Sequence, residues 1–281
     1  MGLDRILAAT DFSGRSERAI ERAALLCRDH SAALGLLHVV DDDQPAEVVR
    51  QGRLQAAALL TDRAAALHAT TLVGAGEPFQ EIARAAAAEN ADLIVMGAHR
   101  KSILRGIFVG TTIERVMRTG GRPVLMVNTP PAGGYRRVVV AIDLSPASQN
   151  AMRAAKALGF LDGVDVTVLH AFDALAKSMM AYASVERERI DEYVAKEAAD
   201  TRRAVSDFVS ALDLGAFRYR LHTDDATPYA AIHAIVERER PDLLVIGTRG
   251  LTGIRRVLLG SVADAVLCGI DCDILAVPPP E

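Results

Sequence analysis

The sequence predicts an α/β protein of two tandem, doubly wound domains, each a five-stranded parallel open sheet flanked by helices. Three observations carry that expectation. First, short apolar runs such as Leu93-Ile94-Val95-Met96 and Leu243-Leu244-Val245-Ile246 alternate with helix-like stretches, the pattern of a sheet buried on both faces. Second, the chain repeats itself. Gly97 and Gly247, Gly110 and Gly260, Pro78 and Pro228, and Asp92-Leu93 and Asp242-Leu243 are each 150 residues apart. Upstream, Asp11-Phe12-Ser13 and Asp143-Leu144-Ser145, and Leu37-His38 and Leu169-His170, are 132 apart. The offset grows from 132 to 150, so the second half carries an 18-residue insertion between Asp173 and Thr227. Third, so long a period marks duplication of a whole domain, not a solenoid repeat of about 20–50 residues.

The elements follow in order. Residues 5–9 form a short apolar strand that ends in the turn Asp11-Phe12-Ser13-Gly14, and Ser13 stands at the N-cap of a helix reaching His30. A strand over 34–40, a helix over 51–69 and a strand over 70–73 come next. Pro78 opens a helix over 78–90, proline being suited to a first turn. Strand four covers 93–96, the helix after Gly110 stops at Gly120-Gly121, and 123–127 closes the half. The second half repeats this from 137 to 277. Right-handed crossovers then give doubly wound sheets. The turn-rich Asn128-Thr129-Pro130-Pro131-Ala132-Gly133-Gly134 has no periodicity, so the domains are expected at 1–128 and 136–281 with a linker over 129–135. The region 178–212 is helical in pattern, with opposite charges such as Glu192 and Lys196 at i,i+4. An extended surface helix is favoured there over a lid contacting a ligand through Met179, Met180 and Tyr182.

Composition excludes several classes. The 281 residues suit two domains, and 50% are apolar. A formal charge of −4 gives no polycationic footprint, which argues against nucleic acid as a partner. No apolar run reaches the roughly 18 residues of a membrane span, and the N terminus does not read as a signal peptide. Cys27, Cys268 and Cys272 form no C-x-x-C pair; Cys268 and Cys272 are expected to be buried near the last helix and strand. A cytoplasmic protein is the plain expectation, and no metal-ligating side chains are assigned.

The chemistry concentrates in one segment. After the strand ending at Ile246 come Gly247-Thr248-Arg249-Gly250, nine residues, then Gly260-Ser261 and a helix-like run beginning Val262. Glycines let main chain approach a phosphate, and the N–H groups and dipole at a helix start favour an anion. Ser261 adds a hydroxyl at the expected capping position. The first-half copy, Gly97-Ala98-His99-Arg100, nine residues, Gly110-Thr111, has Arg100 where Gly250 stands. Arginine cannot cheaply replace glycine where φ is positive or main chain must approach a ligand, so the first site is expected to have lost ordinary ATP binding.

The spacing G-x-x-G-x9-G-[ST] resembles the nucleotide loop of the universal stress protein family. With the first-strand Asp, the Leu-His second strand and the closing apolar strand, the resemblance covers nearly the whole chain twice. It implies an adenine nucleotide α-hydrolase-like fold that binds ATP, with Mg²⁺, or another adenine nucleotide. It further implies that Asp143 contacts the ribose side, that main chain at Ala171 meets adenine, and that Ile246, Gly247, Gly250, Gly260, Ser261 and Val262 surround the phosphates; Arg249 either touches phosphate or stays solvated. The matching first-half set is Asp11, Val39, Gly97, Arg100, Gly110 and Thr111. In such proteins the closing strands pair between domains, so 124–127 and 274–277 are expected to pair within this chain, with further association of two chains.

Each residue has a plainer reading. Asp143 can cap the turn through Ser145 and Pro146; the glycine loop in the same half favours ligand contact. His38 and His170 lie in apolar strands, so hydrogen-bonded structural histidines are expected. Asp41-Asp42-Asp43 follows a strand end, where diverging side chains suggest a solvated acidic turn rather than a Mg²⁺ site. No Walker A loop, G-x-S-x-G elbow or H-E-x-x-H occurs, so catalytic residues are not assigned. The expected function is nucleotide-dependent regulation in a stress response. A nucleotide-free protein holding another ligand or a protein partner, and a slow ATP hydrolase, remain open.

Overall fold

The computed structural model describes residues 2–98, 112–119, 121–172, 180, 182–183, 185–215, 217–248 and 259–279. The first half runs β1 (Arg5–Thr10), α1 (Gly14–His30), β2 (Ala33–Val40), α2 (Ala46–Leu67), β3 (Thr70–Ala75), α3 (Pro78–Ala88), β4 (Leu93–Gly97), α4 (Thr112–Thr119) and β5 (Val124–Val127). The second half runs β6 (Arg137–Ile142), α5 (Pro146–Ala157), β7 (Asp165–Phe172), α6 (Arg187–Ser210), β8 (Tyr219–Asp225), α7 (Pro228–Glu239), β9 (Leu243–Gly247), α8 (Ser261–Gly269) and β10 (Asp273–Val277).

The strands form one ten-stranded sheet ordered β3-β2-β1-β4-β5-β10-β9-β6-β7-β8. Every neighbouring pair is parallel except β5 and β10, which are antiparallel. The five-stranded halves are therefore not separate sheets. Pairing satisfies the N–H and C=O groups that two closing edges would otherwise expose. Leu125 faces Leu275 in this ladder, and these residues are repeat mates at the 150 offset. A residue opposite its own counterpart is the signature of isologous, twofold pairing.

Alternation along the strands sorts side chains to two helical layers. Ile6 and Ala8 join one core with α1, α2, α5 and α6, while Leu7 and Ala9 join the other with α3, α4, α7 and α8. The repeated Asp-Leu pair has a structural cause: Asp92 accepts the Asp4 and Arg5 N–H groups at 2.9 and 2.8 Å, and Asp242 accepts those of Arg136 and Arg137 at 2.8 and 3.0 Å. Each carboxylate thereby fixes the start of the neighbouring strand.

Several expected boundaries shift: α2 and α3 end at Leu67 and Ala88 rather than 69 and 90, and α6 covers 187–210 of the helical pattern expected over 178–212. α2 starts at Ala46 rather than 51, and β3 continues to Ala75, where the ladder with β2 carries it through Val40 opposite Ala75. α6 (Arg187–Ser210) has 24 residues against 22 for its counterpart α2 (Ala46–Leu67), so most of the 18-residue insertion lies outside this helix. α6 buries Val205 and Val209 near its C-terminal end, whereas Tyr182 is 94% exposed. Met179 lies outside the described residues.

A buried polar cluster ties the halves together. Asp273, fully buried in β10, accepts from the N–H groups of Asn128 and Thr129 at 2.9 and 3.0 Å, and from the Thr129 and Tyr135 hydroxyls at 3.1 and 2.7 Å. Arg22 of α1 reaches Asp273 at 3.3 Å, donates to the Gly133 carbonyl at 2.7 Å and stacks 4.3 Å from the Tyr135 ring centre. Burial, then the nearby Asp273 charge, push the Tyr135 hydroxyl well above its ordinary pKa. The segment joining the halves is thus pinned on both sides.

Candidate functional site: paired crevices at the strand ends

In each half the chain leaves the first strand in one direction for two strands, then returns to its other side, β4 beside β1 and β9 beside β6. That reversal opens a crevice at the carboxyl ends of the strands, where open α/β sheets bind ligands. Register brings the sequence-selected residues to it. Thr10 opposite His38 and Ala9 opposite Met96 place Asp11, Val39 and Gly97 at one end. Ile142 opposite His170 and Ala141 opposite Ile246 do the same for Asp143, Ala171 and Gly247.

The turn after the first strand is built twice from the same parts. Ser13 and Ser145 cap α1 and α5 by accepting the Ser16 and Ser148 N–H groups. Asp11 accepts the Ser13 N–H at 3.0 Å, and Asp143 accepts the Ser145 N–H at 3.1 Å and the Ser148 hydroxyl at 2.6 Å. Between them Phe12 and Leu144 take left-handed backbone at φ 59° and 60°. Burial would raise the Asp11 carboxyl, but hydrogen bonds from Ser13 and Ser16 outweigh it and hold it below its ordinary value. Asp143 therefore serves the turn, as its plainer reading holds, while standing at the crevice. The recurrence Asp-x-Ser-x-x-Ser is legible in the sequence; its third member, Ser16 or Ser148, was not selected there.

The strand histidines are hydrogen-bonded: Nδ1 of His38 lies 2.8 Å from the Thr10 carbonyl, and Nδ1 of His170 lies 2.9 Å from that of Ile142. A carbonyl only accepts, so Nδ1 carries the proton in both. Gly97 has a reason beyond phosphate approach. A Cβ there would lie 2.5 Å from the Arg15 carbonyl oxygen and 2.9 Å from the Ser16 nitrogen, so the end of β4 needs glycine to pass the first turn of α1.

Around the second crevice, Ile246 is buried and Gly247 ends β9. Gly260 returns to the strand end by donating its N–H to the Thr248 carbonyl at 3.0 Å. The capping residue of α8 is Gly260, not Ser261, and no side chain caps the helix. That corrects the sequence expectation: Gly260 is extended while its carbonyl accepts the first helical bond from the Asp264 N–H at 2.9 Å, and Ser261 becomes the first helical residue, exposed, followed by half-buried Val262. Arg249, Gly250, Arg100, Gly110 and Thr111 lie outside the described residues.

The first crevice is a cavity of about 490 Å³, within the range of about 300–1,000 Å³ usual for small-molecule sites. Asp11, Val39 and Gly97 line it, together with Thr10, Arg15 and Arg115, which sequence reasoning did not select.

Two acidic groupings complete the inventory. Asp41, Asp42 and Asp43 bring carboxylate oxygens within 4.8 Å of one another, so they converge rather than diverge. The chain turns after β2, with the Asp43 N–H donating to Asp41 at 3.0 Å. All three are exposed. Glu114 on α4 and its repeat mate Asp264 on α8 meet with Cys268 within the same 4.8 Å. Cys272 is buried, whereas Cys268 is exposed on α8 because it faces away from the sheet. Burial pushes the Cys272 thiol up to about 12 and that of Cys27 to about 11.

Comparisons with known proteins agree with this architecture. The sequence model of the universal stress protein family matches residues 2–128 and 134–278. Universal stress protein E of Escherichia coli K12 is 23% identical over 209 residues, covering 73% of this chain; the match spans 66%, just under two thirds, of that relative's length. A universal stress protein of Methanocaldococcus jannaschii is 27% identical over 149 residues, 52% of this chain and 84% of its own. The crystal structure of a universal stress protein from Archaeoglobus fulgidus superposes with a TM-score of 0.67 over 99% of both chains at 20% identity, a likeness of fold. No described helix is long and apolar enough to cross a membrane. Matched by the family's pattern in both halves and sharing its fold from end to end, the chain belongs to the universal stress protein family.

Proposed function

We propose that this is a cytoplasmic, ATP-binding regulatory protein of the stress response, with ATP held mainly by the second half. Nucleotide occupancy biases the packing of the halves, the contacts with partners or the association of two chains. The observation that carries this reading is the convergence of Asp143, Ala171 and Gly247 with the N terminus of α8 at one strand-end crevice. The α8 terminus carries no side-chain cap, so its first-turn N–H groups suit an anionic oxygen. In the assignment, Asp143 holds the ribose side, main chain at Ala171 meets adenine, and Gly247, Gly250, Gly260, Ser261 and Val262 surround the phosphates with Arg249 beside them. Cys27, Cys268 and Cys272 form no disulfide, which fits a reducing compartment.

Mass spectrometry of the gently purified full chain tests the ligand, with ATP expected. In thermal unfolding, ATP at one hundred times its Kd stabilises by about 2.7 kcal/mol. Absence of bound nucleotide together with an unchanged Tm in about 1 mM ATP would point to a nucleotide-free protein.

A further inference from the structure

The two crevices share a plan but differ in charge. Arg15 and Arg115 line the first; the matched positions in the second half, at offsets of 132 and 150, are Ala147 and Ala265. Asp11 and Asp143 are matched. Glu77, paired with Arg115 at 3.1 Å, is matched by Thr227, so among the described residues at these positions the first half has two guanidinium groups and two carboxylates, with Arg15 the cation not paired to a described carboxylate, and the second half has a carboxylate alone. Hydroxyls differ as well: Thr10 and Thr112 in the first half stand where the second has Ile142 and Val262, whereas Ala98 is matched by Thr248.

The two arginines are held differently. Arg115 is anchored: its guanidinium lies 3.7 Å from the centre of the Phe79 ring and donates to Glu77 at 3.1 Å. Arg15 makes no side-chain hydrogen bond or ion pair with a described residue, although the backbone beside it is fixed against Gly97. Asp11 lines the crevice and one of its carboxylate oxygens accepts the Ser13 N–H at 3.0 Å. Deeper in, Leu37, Val39, Ile82, Met96 and Ile113 supply an apolar wall. An apolar slot with a few convergent polar groups is the general form of a small-molecule site, and a guanidinium recognises carboxylate or phosphate oxygens through paired donors.

We propose that the first-half crevice binds a compact organic anion, one carboxylate or phosphate group on a small apolar body, with Arg15 and Arg115 as its charge partners. The two halves are then sites for different ligands rather than a working site and a ruined copy. The apolar wall takes the body and the arginines do what main-chain N–H groups are assigned to do in the second half. This inference stands apart from the assignment of ATP to the second half.

The test uses the full chain, with phenyl phosphate, benzoate and uncharged benzyl alcohol as probes in isothermal titration. At least one of the two anions is expected to bind the parent, and benzyl alcohol to bind far more weakly; whichever anion binds names the group. The double substitution Arg15→Ala, Arg115→Ala, which installs the second-half residues, is expected to weaken that binding about tenfold or more, the loss of a charge-assisted hydrogen bond. Arg15→Ala alone, at a residue whose side chain has no hydrogen-bond or ion-pair partner among the described residues, repeats the test if the double variant fails to fold. No binding of either anion at about 1 mM, equal binding of the uncharged probe, or undiminished affinity in a folded variant would each overturn the proposal. ATP titrated into the same proteins reports separately on the second half: loss of the anion with ATP binding unchanged supports both readings, and loss of the anion in a chain that never binds ATP supports this one alone.

Discussion

Phe12 and Leu144 hold left-handed backbone at φ 59° and 60°, a conformation that non-glycine residues pay for in strain. Its occurrence at matched positions has a shared cause. The chain must turn from strand to helix within Asp-x-Ser, so that the aspartate accepts the serine N–H while the serine caps the helix. Gly97 shows a second local constraint, since its missing Cβ makes room for the Arg15 carbonyl. Gly97→Ala forces β4 and α1 apart and is expected to cost about 1–3 kcal/mol, read as a lower urea midpoint; an unchanged midpoint would show that the contact relaxes freely. Asp11, Asp143, Gly97 and Gly247 were legible because they recur at constant offsets. Arg15 and Arg115 were not, because a repeat search looks for matches and these are positions where the halves differ. Ser261 was misplaced by one residue because capping rules look for a side-chain acceptor, whereas this helix starts on the carbonyl of Gly260, which accepts from the Asp264 N–H with no side chain involved.

At the scale of elements, the joining segment is more than a tether. The cluster of Arg22, Tyr135 and Asp273 draws on α1, the segment itself and β10, so it registers the first half against the second. Nothing in the repeat foretells it: the first-half position matched to Asp273 is Pro123. Arg22→Ala leaves a buried carboxylate without its cation and is expected to cost about 3–5 kcal/mol. Tyr135→Phe removes one of several donors and is expected to cost about 1–3 kcal/mol. Denaturant unfolding followed by circular dichroism checks both, and an unaltered midpoint for Arg22→Ala would show that the cluster does not join the halves. The insertion also reads differently in three dimensions. The helix itself absorbs little of it, α6 spanning 24 residues (Arg187–Ser210) against 22 for α2 (Ala46–Leu67). Helical periodicity continued into the flanking sequence and gave no sign of where the helix stops.

At the scale of the molecule, duplication has made a single chain into its own dimer. The strand order reads the same from either end of the sheet, and Leu125 meets Leu275 at its centre. That symmetry was foreseeable from two matched closing strands, because an unpaired central edge is unfavourable; one continuous sheet is the form it takes. The divergence of the two crevices is what symmetry alone cannot supply. Gly250 and Arg100 stand at matched positions, and the account assigns ATP to the half with glycine. Isothermal titration of ATP into the parent and into Gly250→Arg tests this most directly. The account predicts about one ATP per chain for the parent and near none for the variant, whose side chain would occupy the phosphate approach. A folded Gly250→Arg protein that binds ATP as tightly as the parent would contradict it.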